Sequence, residues 1–291
     1  MSYFRGNLFV MRKTLLFTAY LLAFTGAIEA QQLKTPAPSS TQTIKQDFGL
    51  GSIELSYSRP NIKGRKVFGD LVPFGKVWRT GANQATTLTF ADDVTIGGTK
   101  IPAGKYGLLT MPDKSAWTII ITKQLDVTSP AAYKQESDVV RVQVKPEGIK
   151  NKVETFTMQF ANVKPTSIEL HMIWDQTDVA LPITTEIDAK VMAQISELMK
   201  QEDKKNSPYF PAAMYYMDNG KDLTQALDWF NKAAEQNPKA FWVFHQRANC
   251  LAKLGKKPEA IESANKSIEL AKEAKNDDYV ALNQKLLATL K

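Results

Sequence analysis

Between about Thr43 and Asp188 the apolar residues recur at every second position: Ile53, Leu55 and Tyr57; Val140, Val142 and Val144; Phe156, Met158 and Phe160; Ile168, Leu170, Met172 and Trp174. That period belongs to strands with one buried face. Gly97-Gly98, set between Val94-Thr95-Ile96 and Thr99-Lys100-Ile101, predicts a two-residue hairpin, because glycine reaches the positive φ such a turn needs. Further strands are expected over Tyr106 to Met111 and Trp117 to Thr122, about nine short strands in all. Regular spacing of this kind predicts an antiparallel β-sandwich or barrel.

After Asp188 the period becomes helical. Leu223, Ala226, Leu227, Phe230, Ala233 and Ala234 trace one face, and Ala260, Ile261, Ala264, Ile268 and Ala271 another. The two faces are offset by 34 residues, Ala226 to Ala260 and Phe230 to Ala264, and Asn237-Pro238 closes the first unit. About Ser207 to Lys275 therefore resembles tetratricopeptide repeats, with Lys272 in place of a closing proline and Met214 where a small residue is usual. Val191 to Met199 and Asn276 to Leu290 are expected to form helices flanking the array. The resemblance implies a protein partner on the helical face; bracing of the β domain is the alternative. Tyr209, Trp229, Phe241, Trp242 and Phe244 are expected in the helical core.

The start of the chain reads as an export signal: Arg12-Lys13, an apolar run from Leu15 to Phe24, and small residues up to Ala30, after which cleavage is expected. Met11 is an alternative start. The apolar run is too short for a stable membrane span, no comparable stretch follows, and no cysteine is placed for lipid attachment. Residues 1–30 are thus assigned to the signal, 31–42 to a Pro/Ser/Thr/Gln-rich leader, 43–188 to the β domain and 189–291 to the helical domain. The periplasm or the extracellular space is the expected location.

The net charge is +7, and +5 once the signal has gone with its three cations and one acid. This is too mild and too evenly spread for nucleic-acid binding. A single cysteine, Cys250, excludes an internal disulfide and a thiolate zinc site, and it reads as a small buried apolar residue. The two histidines, His171 and His245, fall in different halves, so neither a metal nor another cofactor is expected. No serine stands in a nucleophile elbow. Asp92, Asp93, Glu169 and Asp175 are available carboxylates, but sequence alone brings no two of them together.

Candidate chemistry concentrates in Tyr57 to Asn83. Beyond residue 30 the chain has five arginines, and Arg59, Arg65 and Arg79 lie in this window among Pro60, Gly64, Gly69, Pro73, Gly75 and Gly81. Turn residues with interleaved Phe68, Phe74 and Trp78 predict an ordered loop wrapped on the strands. Arg59, Arg65, Trp78, Arg79, Thr80 and Asn83 form the candidate ligand pocket, suited to an anionic or carbohydrate-like group through the planar guanidinium fork. The competing reading is that the arginines pair with Glu54, Asp70, Asp92 or Asp93, or bond loop carbonyls, and hold the loop itself.

The run YSRPNIKGRKVFGDLVPFGKVWRTGANQATTLTF, followed by DDVTIGGTKIPAGKYGLLTMP, WTIIITK, DVVRVQVKP, VETFTMQF and WDQTDVALPI, resembles the domain-of-unknown-function family numbered 2911. The family pattern falls on Tyr57 to Pro60, Gly64-Arg65, Gly69 to Gly75 and Trp78 to Asn83. Tyr133, Asp138 and Arg141 are kept, although a tryptophan usual before them is missing. The resemblance implies an exported bacterial β domain and brings no activity. The functional expectation is a binding or adaptor protein; an envelope hydrolase working at the same pocket and a purely structural scaffold are the alternatives.

Overall fold

The computed structural model of the protein describes residues 33, 35–200 and 207–290. The expected signal peptide and the choice between Met1 and Met11 lie outside the described residues. Ten strands and six α-helices are found among those described. The strands are β1 (Ser40–Phe48), β2 (Gly51–Arg59), β3 (Thr87–Phe90), β4 (Val94–Ile96), β5 (Thr99–Ile101), β6 (Gly104–Met111), β7 (Trp117–Thr122), β8 (Asp138–Val144), β9 (Glu147–Ala161) and β10 (Ser167–Thr184). They form a six-stranded sheet in the order β1-β2-β3-β6-β7-β8 and a four-stranded sheet in the order β5-β4-β10-β9, with every pairing antiparallel. Two separate sheets with free edges make a sandwich, so the barrel alternative is excluded.

The alternating residues of both sheets meet in one core. Ile53, Leu55, Leu88, Leu108, Ile119 and Ile121 from the first sheet face Phe156, Met158, Leu170, Met172 and Trp174 from the second. The β4–β5 hairpin turns at Gly97 and Gly98, with φ of 56° and 78°. β10 runs beyond the alternation legible up to Trp174 because its inward positions change parity, from Leu170, Met172 and Trp174 to Val179, Leu181 and Ile183. Register shifts at Ile173/Asp175 and Asp175/Thr177, with Asp175 at φ 54°, absorb the change. A second, smaller cluster of Leu109, Ile120 and Val127 lies apart from this core, with Val77, Met111 and Tyr133 packed on it. It explains why β6 and β7 are apolar at adjacent positions as well as alternating ones.

The helices are α1 (Asp188–Lys200), α2 (Tyr209–Asp218), α3 (Leu223–Gln236), α4 (Phe241–Lys253), α5 (Lys257–Glu273) and α6 (Asp277–Thr289). The Asp222 carboxylate accepts from Thr224 N–H at the start of α3, and Asn276 Oδ1 accepts from Tyr279 N–H at the start of α6. Consecutive helices pack through Ala212, Ala213, Ala226, Ala233 and Ala248, small residues that let the axes approach, around the fully buried Phe230. Cys250 is fully buried, with its thiol 3.5 Å from Leu223 O. Trp242 and Phe241 depart from their expected core placement: Trp242 is 38% exposed at the start of α4, and Phe241 is half-buried, edge-on to Trp242 and Tyr279 outside the helical core cluster. A buried polar chain holds α6 in place: Asn283 Nδ2 donates to Ser267 Oγ at 2.8 Å, and Asn283 Oδ1 lies 2.9 Å from His245 Nδ1. Where the two parts join, Lys190 Nζ reaches Asp92 at 2.6 Å, and Asp188 accepts from Tyr215 and Lys221 at 2.8 Å each.

Candidate functional site

The window from Tyr57 to Asn83 divides into two jobs. Its first part seals a sheet edge. β9 is the outer strand of the four-stranded sheet, and its free backbone groups need partners once buried. Phe156 N–H donates to Pro60 O at 2.8 Å, Ile62 N–H donates to Glu154 O at 2.9 Å, and Met158 N–H donates to the Tyr57 hydroxyl at 2.8 Å. Arg59 completes the seam, with Nε donating to Phe156 O at 3.2 Å and Nη2 to Thr157 Oγ1 at 2.9 Å. The Tyr-Ser-Arg-Pro run thus stitches the end of β2 to the edge of the opposite sheet.

Beyond Ile62 the chain folds over the core as an ordered loop. Ile62, Val67 and Val72 are buried, and Gly75 and Trp78 donate backbone N–H groups to Pro112 O and Thr110 O at 2.9 and 2.7 Å. Arg65 bonds its own loop, Nε to Ile62 O at 2.9 Å and Nη2 to Asn61 O at 2.6 Å. Arg79 donates Nη1 to Thr128 O, in the segment between β7 and β8. Among the described residues none of the three arginines pairs with a carboxylate; Asp92 and Asp93 take Lys190 and Lys100.

Between this loop and Thr128–Pro130 lies a cleft of about 430 Å³, lined by Arg65, Leu71, Pro73, Lys76, Val77, Trp78, Arg79, Gly81 and Trp174 among others. Its aromatic wall is built from the core: Trp78 stacks on Trp174 at 5.8 Å and 16°, and each packs on Phe156, at 5.1 and 5.6 Å. Among the described residues three cations line the cleft, and no Asp, Glu, His or Cys does. Like charges around low-dielectric walls make a site that attracts anions.

Of the six residues singled out by sequence, Arg65, Trp78 and Arg79 line this cleft. Arg59 sits on the β9 seam. Thr80 is fully buried at φ 56°, its hydroxyl donating within the turn to Trp78 O at 3.3 Å or to Thr110 Oγ1 at 3.1 Å. Asn83, also at φ 56°, donates Nδ2 to Ser39 O at 3.0 Å. A β-branched residue at positive φ is costly, and here the bonds of Thr80 and of Thr86 Oγ1 to Thr80 O (2.7 Å) hold the turn that presents Arg79. Sequence reasoning did not select Leu71, Lys76 and Val77, which stood in the same window, nor Thr128–Pro130 and Trp174, which only the fold brings there.

The segment carrying Thr128 is anchored at its far end. Tyr133 and Arg141 both bond Asp138 Oδ2, and Arg141 Nη1 donates to Tyr133 at 2.6 Å. Burial and the Asp138 carboxylate push the Tyr133 phenol up to about 12. On the four-stranded sheet, His171 Nδ1 lies 2.9 Å from Asp178 and Nε2 lies 3.4 Å from Glu169. Burial pushes the imidazole down, but the two carboxylates outweigh it and hold His171 above its ordinary value.

No helix among the described residues is long and apolar enough to cross a membrane. Comparison with curated proteins finds no match. Residues 39–183, which span both sheets and the cleft, match the model of the family described as "Protein of unknown function (DUF2911)", and it is to this family that the chain belongs.

Proposed function

We propose that this chain is an exported binding protein: its β domain holds a small organic anion in the cleft beside Trp78 and Arg79, and its helical part, a short tetratricopeptide-like array, docks a partner protein. The carrying observation is the lining of the cleft, in which Arg65, Lys76 and Arg79 stand among Leu71, Pro73, Val77 and Trp78 with no carboxylate among the described residues to neutralise them. Cations beside apolar and aromatic walls suit a ligand with one anionic group and an apolar body. An envelope hydrolase has less support, because among the described residues the lining supplies no carboxylate, histidine or cysteine. Docking by the helices is supported by the 34-residue offset and by the apolar surface left exposed at Trp242, Ile261 and Leu282.

Isothermal titration of the purified chain against organic anions and their neutral analogues tests the reading. An anion is expected to bind, and Arg79→Ala to abolish binding with little change in melting temperature, since the side chain makes one protein hydrogen bond. Arg59→Ala is expected to do the reverse by opening the β9 seam. Failure of every anion to bind the wild-type chain, or collapse of the fold in Arg79→Ala, would sink the proposal.

A further inference from the structure

Four strands stand at the edges of the two sheets, β1 and β8 in one, β5 and β9 in the other. An edge strand carries unpaired backbone groups that invite another strand, so folded proteins blunt it with short length, a bulge, a proline, a lysine or a cover. Three of these edges are blunted. β5 spans only Thr99–Ile101, β8 has a register shift against β7 and runs into Lys145-Pro146, and β9 is sealed between Glu154 and Met158 by the Tyr57 to Ile62 seam and loses its regular register before it. β1 is different: nine residues long, without proline or glycine, it pairs with β2 in an unbroken register from Ser40–Arg59 to Phe48–Gly51. Its one lysine, Lys45, is followed two positions on by Asp47, so even the charge is offset.

Which backbone groups β1 leaves free follows from β2. Ala91, just past β3 on the far side of β2, donates its N–H to Ser52 O at 2.9 Å. Ser52 and every second residue after it therefore bond away from β1, and the bonds to β1 come from Ile53, Leu55 and Tyr57. Their partners Gln46, Ile44 and Gln42 bond inward, so Thr41, Thr43, Lys45 and Asp47 turn N–H and C=O to the open edge. Lys45 and Asp47 are exposed and make no ion pair among the described residues. We infer that β1 is a homodimer interface, two copies pairing β1 antiparallel about a two-fold axis at Gln46. That register sets Lys45 opposite Asp47 of the second copy, twice by symmetry, each pair exchanging both N–H groups. It also brings Ile44, half-buried at the margin of the core, beside Phe48 of the second copy. An axis at Lys45 would oppose two lysines, and one at Ile44 would set both charges against threonines. Asp47 O accepts from Gln46 Nε2 at 3.1 Å in the single chain, and a carbonyl takes a second bond.

Sedimentation equilibrium of the purified chain between about 1 and 100 μM tests the dimer, which is expected to form within that range. Asp47→Lys sets a lysine against Lys45 of the other copy and should weaken dimerisation about 10-fold or more, and adding Lys45→Asp should restore it, a rescue that loss of fold would not give. Thermal unfolding of each variant checks that the β domain is intact. Oxidative crosslinking reads the register. Opposed residues at the axis bond inward and lie about 4.5 Å apart between Cα atoms, within reach of a disulfide, so Gln46→Cys should crosslink to itself. Thr43→Cys, roughly 20 Å from its symmetry mate in this register, should not. Cys250 is fully buried and does not compete. A chain still monomeric at about 100 μM would overturn the inference. So would a dimer indifferent to the charge reversal, or one that crosslinks through Thr43→Cys and not through Gln46→Cys.

Discussion

Removing one oxygen atom at Tyr57 tests whether the Tyr-Ser-Arg-Pro run is a seam between the sheets. The Tyr57 ring is 2% exposed and packs edge-on against Phe156 at 5.8 Å. Its hydroxyl accepts from Met158 N–H at 2.8 Å and has one hydrogen to give, to Gln42 Oε1 at 3.0 Å or Met158 O at 3.2 Å. Tyr57→Phe keeps the ring and leaves a buried backbone N–H without an acceptor, which costs about 1–3 kcal/mol. At about 2 kcal/mol the melting temperature should fall by roughly 4–8 °C for a domain of this size. Guanidinium unfolding followed by near-ultraviolet circular dichroism measures the loss, and hydrogen exchange at the Met158 amide localises it. Gln42→Ala, which removes one of the two acceptors for the hydroxyl hydrogen, should cost less. Burial raises the Tyr57 phenol above its ordinary 10.0, against the opposing effects of Met158 and Arg59. The stability linked to the neutral phenol is therefore full below pH 10 and is lost as the pH climbs through the raised value, and Tyr57→Phe should remove that alkaline slope. A loss under about 0.5 kcal/mol, the range of ordinary surface changes, together with unchanged protection at Met158, would refute the seam.

Two further outcomes follow from local geometry. Gly81 sits at φ 153°, and a Cβ there would lie 2.8 Å from Ser58 O and 3.2 Å from Thr86 Oγ1; Gly81→Ala should cost about 1–3 kcal/mol and shift the turn that presents Arg79, whereas Gly75→Ala, at φ 67° with open space around it, should cost about 1 kcal/mol. Equal losses in the two variants on thermal unfolding would show that contact with Ser58 does not matter. The His171 imidazolium, held by Asp178 and Glu169, stabilises the fold fully below the ordinary value of 6.5, and that contribution fades as the pH rises through the raised one. His171→Gln should flatten this part of the stability profile, and an NMR titration of the ring midpoint at or below 6.5 would contradict the assignment.

Much of the architecture was legible because burial of one strand face or one helix stripe leaves a period in the chain. The Gly97-Gly98 hairpin, the strands around Leu55, Ile119 and Met172, and the helices through Phe230 and Ala264 all carry that mark. The second half of β10 was less legible, because irregularities near Asp175 shift the parity and break the alternation that a reader follows. Trp242 and Phe241 were misplaced for a related reason: helical spacing names the apolar faces, but only packing decides which aromatics at the start of a helix are covered.

The sequence by itself determined where strands end and helices begin, which side chains could be buried, and that arginine and aromatic chemistry gathers in Tyr57 to Asn83. These are properties of neighbours in the chain, and local periodicity and composition report them. What Arg59 and Arg79 do was decided by the tertiary structure, because their acceptors come from elsewhere: Phe156 and Thr157 on β9 for Arg59, and Thr128 beyond β7 for Arg79. Trp174 and Lys76 share one cleft for the same reason. A guanidinium looks alike at all three positions in the sequence, and only the fold shows which donors are already spent.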